Sequence, residues 1–132
     1  MDPDEQQIRD LIDAWMQASQ AGDADRLHGM MAEDVVFLRP GLPPMRGRAA
    51  FVAGFRNAMD HVRLELLSNI QEITLSGDLA FCWNQLNVTA IPRRGGPAMR
   101  HSGNVLSMLR KLPEGNWVIA RDANMLIPEA MQ

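Results

Sequence analysis

Hydrophobic positions change their period about halfway along the chain. Ile8, Leu11, Ile12, Trp15, Met16 and Ser19 recur every three or four residues, with Arg9, Asp10, Asp13 and Gln17 opposite them, which predicts an amphipathic helix over residues 3–20. Asp2 is placed to cap it, Pro3 suits its first position, Glu5 completes the reciprocal capping pattern, and Ala21-Gly22 ends it. Asp23 caps a shorter second helix predicted to run to about Ala32, burying Leu27, Met30 and Met31, with Gly29 inside it allowing close packing. Val35-Val36-Phe37-Leu38, bounded by Asp34 and Pro40-Gly41, predicts a brief strand at the edge of the fold. Turn residues fill 41–47, and Phe51, Phe55 and Met59 mark the apolar stripe of a third helix near 48–60.

From Leu64 onward the segments 63–75, 79–91, 99–111 and 117–127 are rich in Val, Ile, Leu, Thr, Phe and Trp. Ser76-Gly77-Asp78, Arg93-Arg94-Gly95-Gly96-Pro97 and Pro113-Glu114-Gly115-Asn116 separate them, each short enough for an antiparallel hairpin. Three helices followed by a four-strand meander make an α+β layout with the helices on one face of the sheet.

A chain of 132 residues fits one domain, here 1–132, with one core. Its 46% apolar and 22% charged content excludes disordered and collagen-like classes. A net charge of -3 with scattered Lys and Arg offers no concentrated basic face, so nucleic acid is not an expected partner. Cys82 stands alone between Phe81 and Trp83 and reads as a buried thiol. The acidic start Met1-Asp2-Pro3-Asp4-Glu5 has no apolar targeting segment, and no stretch is apolar enough to span a membrane, so a cytoplasmic location is expected.

Local motifs add a resemblance. Gln20-Ala21-Gly22-Asp23 followed by Met30-Met31-Ala32-Glu33-Asp34-Val35 resembles the segment joining the early helices to the first strand in the nuclear transport factor 2-like superfamily. The run from Gly115 through Trp117 and Ile119 to Asn124 is similar to the "Gly-x-Trp-x-Ile-x-x-x-x-Asn" final strand of its SnoaL-like and SgcJ/EcaC-like subgroup, and Ala80 and Gly103-Asn104 to Arg110-Lys111 fit that subgroup's middle strands. The resemblance covers residues 4 to 126 or so. It implies a cone-shaped, cystatin-like fold with three N-terminal helices packed on a curved antiparallel sheet, a pocket between them, and a homodimer packed through the sheet. It implies no single activity, because members include isomerases, hydrolases, polyketide cyclases and binding domains.

Candidate chemistry follows from the pocket. The steroid isomerase branch uses a carboxylate base with a Tyr and a protonated Asp as oxyanion donors. With Ala21-Gly22-Asp23 aligned, Arg39 stands where that branch has its base and Trp15 where it has its phenol, and the chain contains no Tyr. Steroid-type isomerisation is therefore not expected. Arg39 instead suggests a guanidinium for a ligand carboxylate or other oxyanion, against the plain alternative of a solvated head. Asp122 and Asn124 share one strand face with Val118 and Ala120 by simple alternation, which makes Asp122 the candidate general base and Asn124 its polar neighbour; a purely structural hydrogen bond is the alternative. Asn84 and His101 are further ligand candidates, with a solvated imidazole the alternative for His101, and Trp15, Phe37, Phe51, Phe55 and Trp83 are candidate walls, with plain core packing the alternative. His28, His61 and His101 are far apart and no Cys/His pair has zinc spacing, so neither a metal nor another cofactor is expected. Two readings stand: an enzyme of the isomerase, cyclase or hydrolase class acting on a small organic molecule, or a non-catalytic ligand-binding or dimerisation module.

Overall fold

Helix α1 covers Pro3–Ala21: the Asp2 carboxylate accepts the Asp4 N–H at 2.7 Å, and Gly22 ends the helix in the left-handed region at φ 69°. The computed structural model describes residues 2–129; Met1 and residues 130–132 fall outside the described residues. Among the described residues, no helix is long and apolar enough to cross a membrane.

Helix α2 is a single short turn, Ala24–His28, not the longer helix predicted to Ala32. Gly29 caps it, and the Met30 carbonyl already accepts the Ile119 N–H at 2.9 Å, so pairing to the last long strand claims the residues a longer helix would have used. Strand β1 consequently spans Met31–Leu38 and buries Met31 and Val35 as strand residues. Nor is β1 at the edge. The two-residue β2 (Met45–Arg46) pairs with it on one side, and on the other it runs parallel to β6, introduced below. Helix α3 follows at Arg48–Met59.

The meander is β3 (Val62–Ser76), β4 (Leu79–Pro92), β5 (Met99–Lys111) and β6 (Trp117–Asn124), and β7 (Ile127–Pro128) pairs with β5. The order across the sheet is β2-β1-β6-β5-β4-β3. The single strand expected over 117–127 is thus divided into β6 and β7 by a kink at Met125 and Leu126. Gly103 accommodates the kink, since a Cβ there would stand 2.7 Å from the Met125 carbonyl oxygen.

The core lies between the helices and the concave face: Ile8 and Ile12 of α1, Leu27 of α2, Val35 of β1, Cys82 of β4, Leu109 of β5 and Ile119 of β6 form one cluster. Burying such side chains contributes roughly 1.5–3 kcal/mol each before entropy is counted. Specific polar contacts fix how α1 lies on the sheet. The Gln20 side-chain oxygen accepts the Leu66 N–H of β3 at 2.7 Å. At the other end, Trp117 Nε1 donates to Asp4 at 3.0 Å and Lys111 Nζ lies 3.2 Å away; these partners, Trp117 foremost, hold the Asp4 carboxyl below its usual range.

Extra residues interrupt three strands, at Gln71 in β3, at Ala120 in β6, and between Met31 and Val36 in β1. Bulges of this kind bend strands and re-aim side chains, which suits a sheet that wraps its helices.

Candidate active-site cavity

The bulge in β6 decides the site. Leu109 pairs with Ile119 and Met108 with Arg121, so Ala120 is skipped and the alternation of faces shifts. Ile119, Asp122 and Asn124 therefore line one concave hollow, whereas Val118 and Ala120 join a separate cluster with Ala32 and Leu112. The expectation that Val118, Ala120, Asp122 and Asn124 share a face is corrected by that one residue.

The hollow is a cavity of about 200 Å³. Ile12, Trp15 and Met16 of α1 roof it, Phe51 of α3 and Met45 of β2 close one side, and Phe37, Leu86, Val105 and Ile119 supply apolar floor and wall. Trp15, Phe37 and Phe51 stack on one another, with centroids 6.2 Å apart for Trp15 and Phe37 and 4.5 Å for Phe37 and Phe51. Such a wall holds its shape because each ring buttresses the next.

Five polar groups break this apolar lining: Arg39, Asn84, Ser107, Asp122 and Asn124. Asp122 lies between Phe37 of β1 and Ser107 of β5 in the ladder, and Ser107 Oγ donates to its Oδ2 at 2.9 Å. Burial pushes the Asp122 carboxyl up to about 6, and the Ser107 hydrogen bond pulls it back part of the way. The residue is half-buried as a whole, and it contacts the cavity, so its remaining access is through the ligand space. Asn84, 3% exposed, gives an N–H to Ser68 Oγ at 2.6 Å. Asn124 accepts the Leu126 N–H at 2.8 Å, leaving its amide NH₂ available. Arg39 follows β1 at the mouth, and its Nε is buried without a partner.

A second hollow of about 420 Å³ opens outward from the first, sharing Arg39 and Asn124 with it. Its other walls are Pro40, Leu42, Val88, His101, Leu126 and Pro128, none of them acidic.

Of the residues singled out in the sequence, the inner cavity brings together Trp15, Phe37, Phe51, Arg39, Asn84, Asp122 and Asn124. His101 lies in the outer hollow. Phe55 stands behind the wall, stacked on Phe51 at 6.1 Å. Trp83 alternates with the buried Cys82 and Asn84 and so belongs to the opposite, convex face, where Nε1 donates to Glu72 at 2.9 Å. Sequence reasoning missed Ser107 and Ser68. Ser107 had a readable signal, since Val105, Ser107 and Leu109 alternate on one face of a strand that is otherwise apolar there. Among the described residues, no three His, Cys, Asp or Glu side chains cluster to hold a metal ion. Cys82 is buried and its thiol is pushed up to about 11, principally by desolvation, which suits packing and not nucleophilic chemistry.

The SnoaL-like domain family matches residues 3–122. The chain belongs to this family. A conserved protein from Planctomyces limnophilus is 32% identical, with a TM-score of 0.92 over 96% of this chain and 98% of its own. A ketosteroid isomerase-like protein from Erwinia carotovora atroseptica is 20% identical, with a TM-score of 0.84 over 99% of this SnoaL-like chain and 100% of that one. A nuclear transport factor 2-like superfamily protein from Salmonella enterica is 17% identical, with a TM-score of 0.81 over 96% and 91%. The last two likenesses establish the fold alone. No curated protein matches the SnoaL-like chain.

The raised Asp122 value has a consequence for stability. The folded state holds this proton more tightly than the unfolded chain, whose carboxyl titrates near 3.8, so stability falls as pH rises from about 4 to 6 and stays reduced above. Asp122→Asn keeps the shape without the charge. It is expected to stabilise the protein at pH 7.5 by on the order of 1–3 kcal/mol in urea unfolding, with the gap closing near pH 4. Equal stability of the two proteins at pH 7.5 would contradict the burial of this charge.

Proposed function

We propose that this SnoaL-like protein is an enzyme that moves a proton on a small organic ligand, in the manner of an isomerase or cyclase, with Asp122 as general base. The observation that carries this reading is a carboxylate on the wall of an apolar cavity, held by one hydroxyl and raised by burial to about 6, near the pH at which a base both ionises and retains driving force. Ser107 fixes the carboxylate, the amides of Asn84 and Asn124 serve a developing oxyanion in place of the missing phenol, and Arg39 receives an anionic group of the ligand. Trp15, Phe37 and Phe51 form one apolar wall against the ligand's body. A hydrolase would need a seat for an attacking water, which this reading does not require.

A small flat C–H acid tests the base directly. With 5-nitro-1,2-benzisoxazole the carboxylate removes the ring C–H proton while the N–O bond breaks, giving a coloured cyanophenolate. Turnover above buffer is expected, rising with pH through about 6, and Asp122→Asn should lower it by about 100-fold or more. Turnover that is the same in Asp122→Asn as in the wild type, or none at all in the wild type, would contradict the assignment.

A second observation favours a homodimer, a role that would also fit a non-catalytic module. Leu38, Leu106 and Met108 are exposed at 47%, 36% and 40% on the convex face, beside half-buried Phe81 and Trp83. Trp83 pairs with Leu106, Leu106 with Ala123 and Ala123 with Leu38, so these side chains form one row across the sheet. Contiguous apolar surface of this kind marks an interface. Light scattering is expected to give twice the chain mass for the wild type and the chain mass for Leu106→Glu; a monomeric wild type would refute the dimer.

A further inference from the structure

The outer hollow sets His101, which proton transfer at Asp122 does not use, beside Arg39. Arg39 joins none of the ion pairs among the described residues, and its buried Nε lacks a partner. His101 faces the same hollow from β5, held in the ladder between Val88 of β4 and Pro128 of β7. An imidazole retains at least one N–H donor in either protonation state. The surrounding walls are apolar, which strengthens any charge-assisted hydrogen bond made there.

We propose that the ligand is an elongated monocarboxylate, its ring in the inner chamber beside Asp122 and its carboxylate held in the outer chamber by Arg39 and His101. This deepens the proton-transfer reading and rests on it for the position of the ring. The charge balance selects the head group: one guanidinium fork matches one planar carboxylate, whereas a dianion would leave uncompensated charge against apolar walls. Register selects the length. Phe37 pairs with Asp122, and Arg39 comes two residues later, roughly 7 Å further along the strand direction. His101 lies four residues beyond Val105, the partner of Asn124, or roughly 13 Å in strand rise. Arg39 lines both chambers and His101 the outer one, so the acid sits just past the waist, within reach of a ring two or three methylenes away. The inner cavity of about 200 Å³ has room for such a ring.

Calorimetric binding to the wild-type chain tests this with benzoate, phenylacetate, 3-phenylpropionate and 4-phenylbutyrate, each against its primary amide. The preference for acid over amide is expected to grow with chain length to about tenfold at the two longer members, and to fall below about threefold in Arg39→Gln and in His101→Gln. Wild-type protein that binds acid and amide equally, or prefers the acid most strongly at benzoate, would overturn the proposal without recourse to any variant. A preference that survives both substitutions would overturn it as well. Because only binding is read, the two ideas fail separately: acid preference without Asp122-dependent turnover removes the base and keeps the carboxylate seat, and turnover without acid preference removes the seat alone.

Discussion

Side chains on a strand alternate strictly between two faces, so a carboxylate in a mostly apolar strand is either solvated outside or desolvated inside, and the register decides which. In β6 that decision rests on Ala120. Trp117 and Ile119 face the core, one residue is skipped in the ladder to β5, and Asp122 and Asn124 then face the same hollow. Without the bulge, strict alternation from Ile119 would send Asp122 to the convex side and bring Arg121 inward. The cost of desolvating Asp122 is offset only in part by Ser107, and that residual cost keeps its proton affinity high.

The remaining structure supports this placement. Strand β6 acquires β1 as a parallel neighbour, which sets Phe37 against Asp122 and delivers Arg39 to the mouth. Helix α1, tied down by Asp4 at one end and Gln20 at the other, presents Ile12, Trp15 and Met16 as the roof. The result separates tasks along one trough: proton affinity at the inner end, apolar shape in the middle and positive charge at the outlet. Each task uses residues from different elements, so the site exists only in the folded chain.

Much of this was legible before any coordinates. Helical spacing marked α1 and α3 to within a residue or two, and Gly- and Pro-containing punctuation marked the three hairpins of the meander, though not the β1–β2 pairing. Two features were hidden for definable reasons. Met30 and Met31 continue a helical apolar pattern, so only the long-range pairing of β1 with β6 shows that they leave the helix. A bulge shifts the alternation without altering composition, which is why Asp122 lines the hollow while Val118 and Ala120, expected on the same face, turn away from it. Trp83 illustrates the same limit: a large aromatic in a strand declares burial against something, but not which face of the sheet it covers. Arg39 and Asn124 could be named from the resemblance and the spacing, while Ser107 needed a partner across the ladder to acquire meaning.

Asp122 is a carboxylic acid that loses its proton late because protein has replaced its water. Carbon-13 NMR of the aspartate side-chain carboxyls, titrated with pH and assigned by comparison with Asp122→Asn, reads that quantity at the atom concerned. A midpoint for Asp122 near 6 is the expected result, and a midpoint at the ordinary value of 3.8 would contradict it.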